Sequence, residues 1–182
     1  MLFEQEILSK IINLIGKTNN KITNNILYII GNLTTDESTN FKDFILKNTS
    51  LKEILLDYLP KIKPNFVKRT LLWCISNIIN TYSADEIEYI LTILNNDYLN
   101  NCESTRAVLR EALINICNIT NLFDQKYNYL LFKLNIHETV MNSLKTISES
   151  MENKDIILQV KLTKIITNLT LGNVKEIKVF HH

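Results

Sequence analysis

Three glycines and two prolines in 182 residues leave little material for the tight turns that a β-sandwich or an open α/β sheet requires. That scarcity points to helices. Cysteine is scarce too: Cys74, Cys102 and Cys117 are odd in number and form no CxxC pair, which argues against a disulfide framework or a zinc site. They read as intracellular core thiols. The formal net charge is only +1, so no global field draws in nucleic acid or an anionic membrane, and neither is expected as a direct partner. No apolar run approaches the ~20 residues of a membrane span. The opening Met1-Leu2-Phe3-Glu4-Gln5-Glu6 lacks the basic and apolar regions of a secretory signal. A glycine-rich phosphate loop, a nucleophile elbow and an HExxH helix are all missing, so no enzyme, cofactor or metal is expected. His137 has no acid or cysteine at ligand spacing and is read as a surface residue.

What is present is a repeat. Hydrophobic residues make up 46% of the chain and charged ones 21%, the balance of a folded protein with a sizeable core. Four segments end alike: Ile30-Gly31-Asn32-Leu33, Ile75-Ser76-Asn77-Ile78, Ile116-Cys117-Asn118-Ile119 and Ile166-Thr167-Asn168-Leu169. Their asparagines stand 45, 41 and 50 residues apart, bracketing the ~40–47 of HEAT and armadillo repeats. Ten residues before each asparagine are Ile22, Val67, Val108 and Leu158; six before are Ile26, Leu71, Ala112 and Leu162; two before, always isoleucine. These steps place the apolar positions on one helical face. The residue just before each asparagine is small, as expected where a neighbouring helix approaches closely. The asparagine lies outside the apolar stripe, a candidate lining residue or a hydrogen bond holding neighbouring repeats in register. Three of the four open an Asn-X-Thr triplet, which repeat structure explains better than glycosylation.

The expected fold is all-α, a right-handed α-solenoid of about four armadillo-type repeats spanning 1–182, with repeats near 1–35, 36–82, 83–120 and 121–171 and a tail or further repeat at 172–182. Long third helices are expected at about Lys21–Thr34, Pro64–Tyr82, Ser104–Thr120 and Lys154–Leu171. Second helices precede them at about Phe3–Ile15, Ser50–Leu59, Ala84–Leu94 and Ile136–Glu149. Shorter first helices fit Thr39–Lys47 and Leu122–Lys133. Ser50 with Glu53 reads as a capping box, and Pro64 suits a first helical turn. The segments Lys61–Lys63, Asn95–Asp97 and Met151–Asn153 read as loops. Asp85 to Glu103 carries five acids and no base, either a patch for a basic partner or a solvated face with charge favoured by a helix N-terminus.

Leu27-Tyr28-Ile29-Ile30-Gly31-Asn32-Leu33 followed by Asp36, then Arg69-Thr70-Leu71-Leu72-Trp73-Cys74-Ile75-Ser76-Asn77, resembles the importin-alpha (karyopherin-alpha) family of nuclear import adaptors. The resemblance implies a concave groove holding a basic linear peptide, or a cargo protein bearing one, in a protein of cytoplasm and nucleus. It implies that Asn77 bonds peptide backbone, that Trp73 stacks on a Lys or Arg stem, and that Asn32 and Asp36 supply an amide and an anionic contact. Tyr28, Arg69 and Asn118 complete the peptide-binding set. The tryptophan position is Tyr28, Ile114 and Lys164 in the other three segments; Tyr28 can stack on a cation, Ile114 offers no π face, and Lys164 repels one. The family's importin-beta-binding segment has no counterpart here, so importin-beta is not expected to engage this chain. A second class stays open: a non-catalytic interaction module contacting other subunits of a larger assembly.

Overall fold

The computed structural model describes residues 2–35, 41–100, 105–122, 125–149 and 156–177, and among them the chain is all-helical with no strand. The described residues form ten α-helices in order: α1 (Leu2–Ile12), α2 (Asn20–Thr35), α3 (Phe41–Asn48), α4 (Leu51–Tyr58), α5 (Asn65–Asn77), α6 (Ala84–Ile93), α7 (Arg106–Thr120), α8 (Gln125–Lys133), α9 (Ile136–Glu149) and α10 (Ile156–Ile177). The chain divides into two compact units, Met1–Ile78 and Ile79–His182.

In the first unit α2 packs along α5. Ile26, Leu27 and Ile30 on α2 and Val67, Leu71, Leu72 and Ile75 on α5 are buried, with Ile45, Leu51, Leu55 and Leu59 completing the core. Each such side chain contributes about 1.5–3 kcal/mol relative to exposure. Asn19 caps α2 by accepting from the Ile22 amide (3.0 Å), which sets the helix start. Pro64 stands just before α5, at its N-cap. Gly16, with φ +72°, turns the chain after α1; a Cβ there would stand 2.8 Å from the Tyr58 ring.

In the second unit α10 packs against α7 and α9, over a core that includes Ile90, Leu91, Ile116, Ile119, Leu131, Ile136, Leu162 and Ile165. Thr105 caps α7 through the Val108 amide. Two local expectations fail. Ser50 holds the N-cap of α4, but its ψ of 36° departs from the extended backbone that aims a hydroxyl at the helix, and it makes no capping bond. The capping box is at Ser83, whose hydroxyl accepts from the Glu86 amide while Glu86 accepts from the Ser83 amide. The segment Asn95–Asp97 is no open loop but part of a π-helical turn, Leu94–Leu99. Leu94 and Tyr98 are both buried, so the intervening backbone satisfies its polar groups internally. Met151–Asn153 lies outside the described residues.

Candidate functional site

The α2–α5 pair holds most of the predicted residues. Its contacts keep a nearly constant register: Thr70 donates to Asn24 Oδ1 (2.8 Å), the Cys74 thiol donates to the Leu27 carbonyl (3.0 Å), and Asn77 Nδ2 donates to the Gly31 carbonyl (3.0 Å). A constant offset means parallel helices lying side by side. Thr70, Cys74 and Asn77 recur at i, i+4 and i+7, so they form one stripe. Burial pushes the Cys74 thiol up to about 12, opposed in part by the Gly31 backbone, and keeps it a neutral donor.

On this pair sits an aromatic shelf. Tyr28 and Trp73 meet with ring centroids 5.6 Å apart, tilted by 43°. The indole passes directly over Gly31, where a Cβ would stand 2.2 Å from Cζ3. Trp73 is half-buried and Tyr28 is 58% exposed, so the rings keep solvent-facing surface rather than closing into a core. Asn32 and Arg69 are exposed on the same two helices.

Asn77 lies one helical turn after Trp73 on α5. Its Nδ2 also donates to Thr35 Oγ1 (2.7 Å), so both amide hydrogens are committed to α2. Among the described residues its Oδ1 accepts no bond. Lys42 of α3 donates to the Asn77 carbonyl (2.7 Å), placing a cation at the C-terminal end of α5 where the dipole favours it. Asp36 lies outside the described residues. Asn118 is half-buried on α7 in the other unit.

The second unit repeats the asparagine device: Asn168 Nδ2 donates to Thr120 Oγ1 (2.9 Å) and Asn121 Oδ1 (3.0 Å). Thr120 in turn donates to the Cys117 carbonyl (2.8 Å), as Thr34 does to that of Gly31 (3.1 Å). The threonines of the three Asn-X-Thr triplets, Thr34, Thr120 and Thr170, each bond back to a carbonyl of their own helix, and Asn168 of the last triplet fastens α10 to Thr120 of the one before. Sequence reasoning missed Thr35, Thr120 and the Gly31 carbonyl as partners, although the triplets and the small residue before each asparagine were the signals. In the acidic stretch, Glu86 is spent on its capping box and Glu88 pairs with Lys133 (2.6 Å), so these two carboxylates have local partners. His137, expected at the surface, is only part-exposed and lies against Phe132 with centroids 4.6 Å apart. Among the described residues no cluster of three or more His, Cys, Asp or Glu could hold a metal ion, and no helix is long and apolar enough to cross a membrane. A cleft of about 580 Å³ lined by Gly16, Lys17, Glu53, Asp57, Tyr58 and Lys61 lies apart from the predicted residues.

No family model matches the chain, and no curated protein sequence matches it. Solved structures do. Two crystal structures from a structural genomics consortium, described only as engineered proteins, match at TM-scores of 0.66 and 0.67 with 15% identity. The matches cover 88% and 91% of this chain, which spans 62% and 63% of the matched chains. At that identity the likeness concerns the fold alone.

Proposed function

We propose that this chain is an armadillo-type α-solenoid adaptor that holds a Lys/Arg-rich linear peptide, of the kind that serves as a nuclear localisation signal, along the α2–α5 face. The observation that carries the reading is the Tyr28–Trp73 shelf, open to solvent and seated on Gly31. An aromatic face attracts a Lys or Arg head by about 0.5–2 kcal/mol, while its flat surface covers the aliphatic stem. Asn77 Oδ1 and the Asn32 amide flank the shelf with one acceptor and one donor–acceptor group for an extended backbone. Trp73 is the sole tryptophan, so its fluorescence reports on the site alone. Titration with a Lys/Arg-rich peptide is expected to change that emission saturably, and salt is expected to weaken binding. A peptide with its basic residues replaced by glutamine is expected to leave the emission unchanged. Equal response to both peptides, or to neither, would sink the reading.

A second reading is a non-catalytic scaffold within a larger assembly. It is favoured by the commitment of both amide hydrogens of Asn77 and of Asn168 to neighbouring helices. Ile114 and Lys164 at the shelf position of α7 and α10 point the same way. Peptide titration separates the two, since the scaffold predicts no response at Trp73.

A further inference from the structure

Each unit contains one helix pair fastened by the recurring asparagine at the same position. With the recurring asparagine as position zero, the receiving helix offers positions −8, −5 and −1 together with +2 or +3; the arriving helix offers −7, −4, −3 and 0. In the first pair α2 receives through Asn24, Leu27, Gly31 and Thr35, and α5 arrives with Thr70, Trp73, Cys74 and Asn77. In the second α7 receives through Thr120 and Asn121, and α10 arrives with Asn168.

Two of these stripes are left open, and they are complementary. On α2 the arriving stripe is exposed throughout: Asn25, Tyr28 (58%), Ile29 (53%) and Asn32. The same stripe on α5 is covered, with Cys74 buried and Asn77 half-buried. On α10 the receiving stripe is exposed throughout: Val160 (57%), Thr163, Thr167 and Thr170. Its equivalents Leu27, Gly31 and Thr34 on α2, and Leu113, Cys117 and Thr120 on α7, are buried. Thr170 already donates to the Thr167 carbonyl (2.9 Å), just as Thr120 donates to that of Cys117. Since Thr120 held this way accepts from an asparagine, the exposed Thr170 hydroxyl is oriented to accept another.

We propose that the chain self-associates head to tail, α2 of one copy stacking in parallel on α10 of the next, with Asn32 received by Thr167 and Thr170. The register of the internal pair then sets Ile29 against Thr163, Asn25 against Val160, and Tyr28 against Lys164. Where the internal pair has two rings at the −4 position, this one has a phenol face and an ammonium, a cation–π pair. The joint is heterologous, two different surfaces meeting, so a face remains open on each side of every dimer. The inference rests on the helix stripes and not on peptide binding, but it takes Tyr28 and Asn32 from the face assigned above to the peptide, so a second copy and a peptide exclude each other there.

Sedimentation of the intact chain over a wide range of protein concentration tests it. Mass above the monomer, growing with concentration, is expected. Ile29→Asp disables only the α2 face, and Val160→Asp only the α10 face; each is expected to weaken self-association by about tenfold or more. Both positions are exposed, and helical circular dichroism checks the fold. Thr167→Lys, on the same stripe as Val160, is expected to behave like Val160→Asp. An equimolar mixture of Ile29→Asp and Val160→Asp retains one good face on each partner and is expected to give a dimer that grows no further. A wild-type chain monomeric at every concentration overturns the proposal. So does a single variant that associates like wild type, or a mixture that stays monomeric.

Discussion

Trp73 lies across Gly31 so closely that the glycine's missing side chain is the space the indole occupies. Gly31→Ala puts a methyl group 2.2 Å from Cζ3, and neither helix backbone can retreat without breaking the stripe beside it. We expect a loss of about 1–3 kcal/mol, the range for overpacking, with Trp73 emission shifted to the red as the ring is pushed outward. Urea denaturation followed by fluorescence measures both. Unchanged midpoint and emission would mean that the ring does not rest there.

Asn77 fastens α5 to α2 with two bonds, one of them to a main-chain carbonyl. Asn77→Ala is expected to cost about 1–2 kcal/mol in thermal or urea melts. Asn168→Ala is expected to cost less, about 0.5–1 kcal/mol, because its partners Thr120 and Asn121 are side chains that can turn to other groups. Equal costs would mean that the two fasteners are equivalent in energy as well as in position.

Cys74 gives a pH signature with a definite sign. In the unfolded chain a thiol releases its proton near its ordinary value of 9.0, while the buried one holds it to about 12. Between these values the native state binds more protons than the unfolded state, so stability falls as pH rises, by at most about 1.4 kcal/mol per pH unit. Below pH 9 this group contributes no pH dependence. Cys74→Ala is expected to flatten the slope in that window relative to wild type; parallel curves would refute the assignment.

Capping separates two serines that look alike in sequence. Ser83→Ala removes the hydroxyl that accepts from the Glu86 amide, leaving the backbone amide of position 83 still donating to the Glu86 carboxylate, and is expected to cost about 1 kcal/mol. Ser50→Ala removes no capping bond and is expected to change stability by less than about 0.5 kcal/mol. Chemical denaturation of the two variants side by side decides it.

Much of the helix pattern was legible because its signal is periodic. Ile26, Leu71, Ala112 and Leu162, all six before their asparagine, are buried as the stripe requires. The outermost position was less so: Ile22 is 45% exposed while Val67 and Val108 are fully buried, since burial depends on a neighbour and not on the helix's own period. The Leu94–Leu99 turn was misread because its Asn-Asn-Asp run looks like a loop until Leu94 and Tyr98 are seen to be anchored. Ser50 and Ser83 each stand three residues before a glutamate and read alike in sequence; the backbone separates them, chiefly through ψ, 36° at Ser50 against 169° at Ser83.

By itself the sequence determined that the chain forms helices, most of the residues that line their buried faces, and that four stretches share one pattern, because hydrophobic periodicity and the scarcity of glycine and proline act locally along the chain. Only the tertiary structure decided which atoms the asparagines engage, that Trp73 rests on Gly31 beside an exposed Tyr28, and which stripes stay open. Those outcomes depend on the register between helices some 45 residues apart, and that register is set by packing across the helix pair.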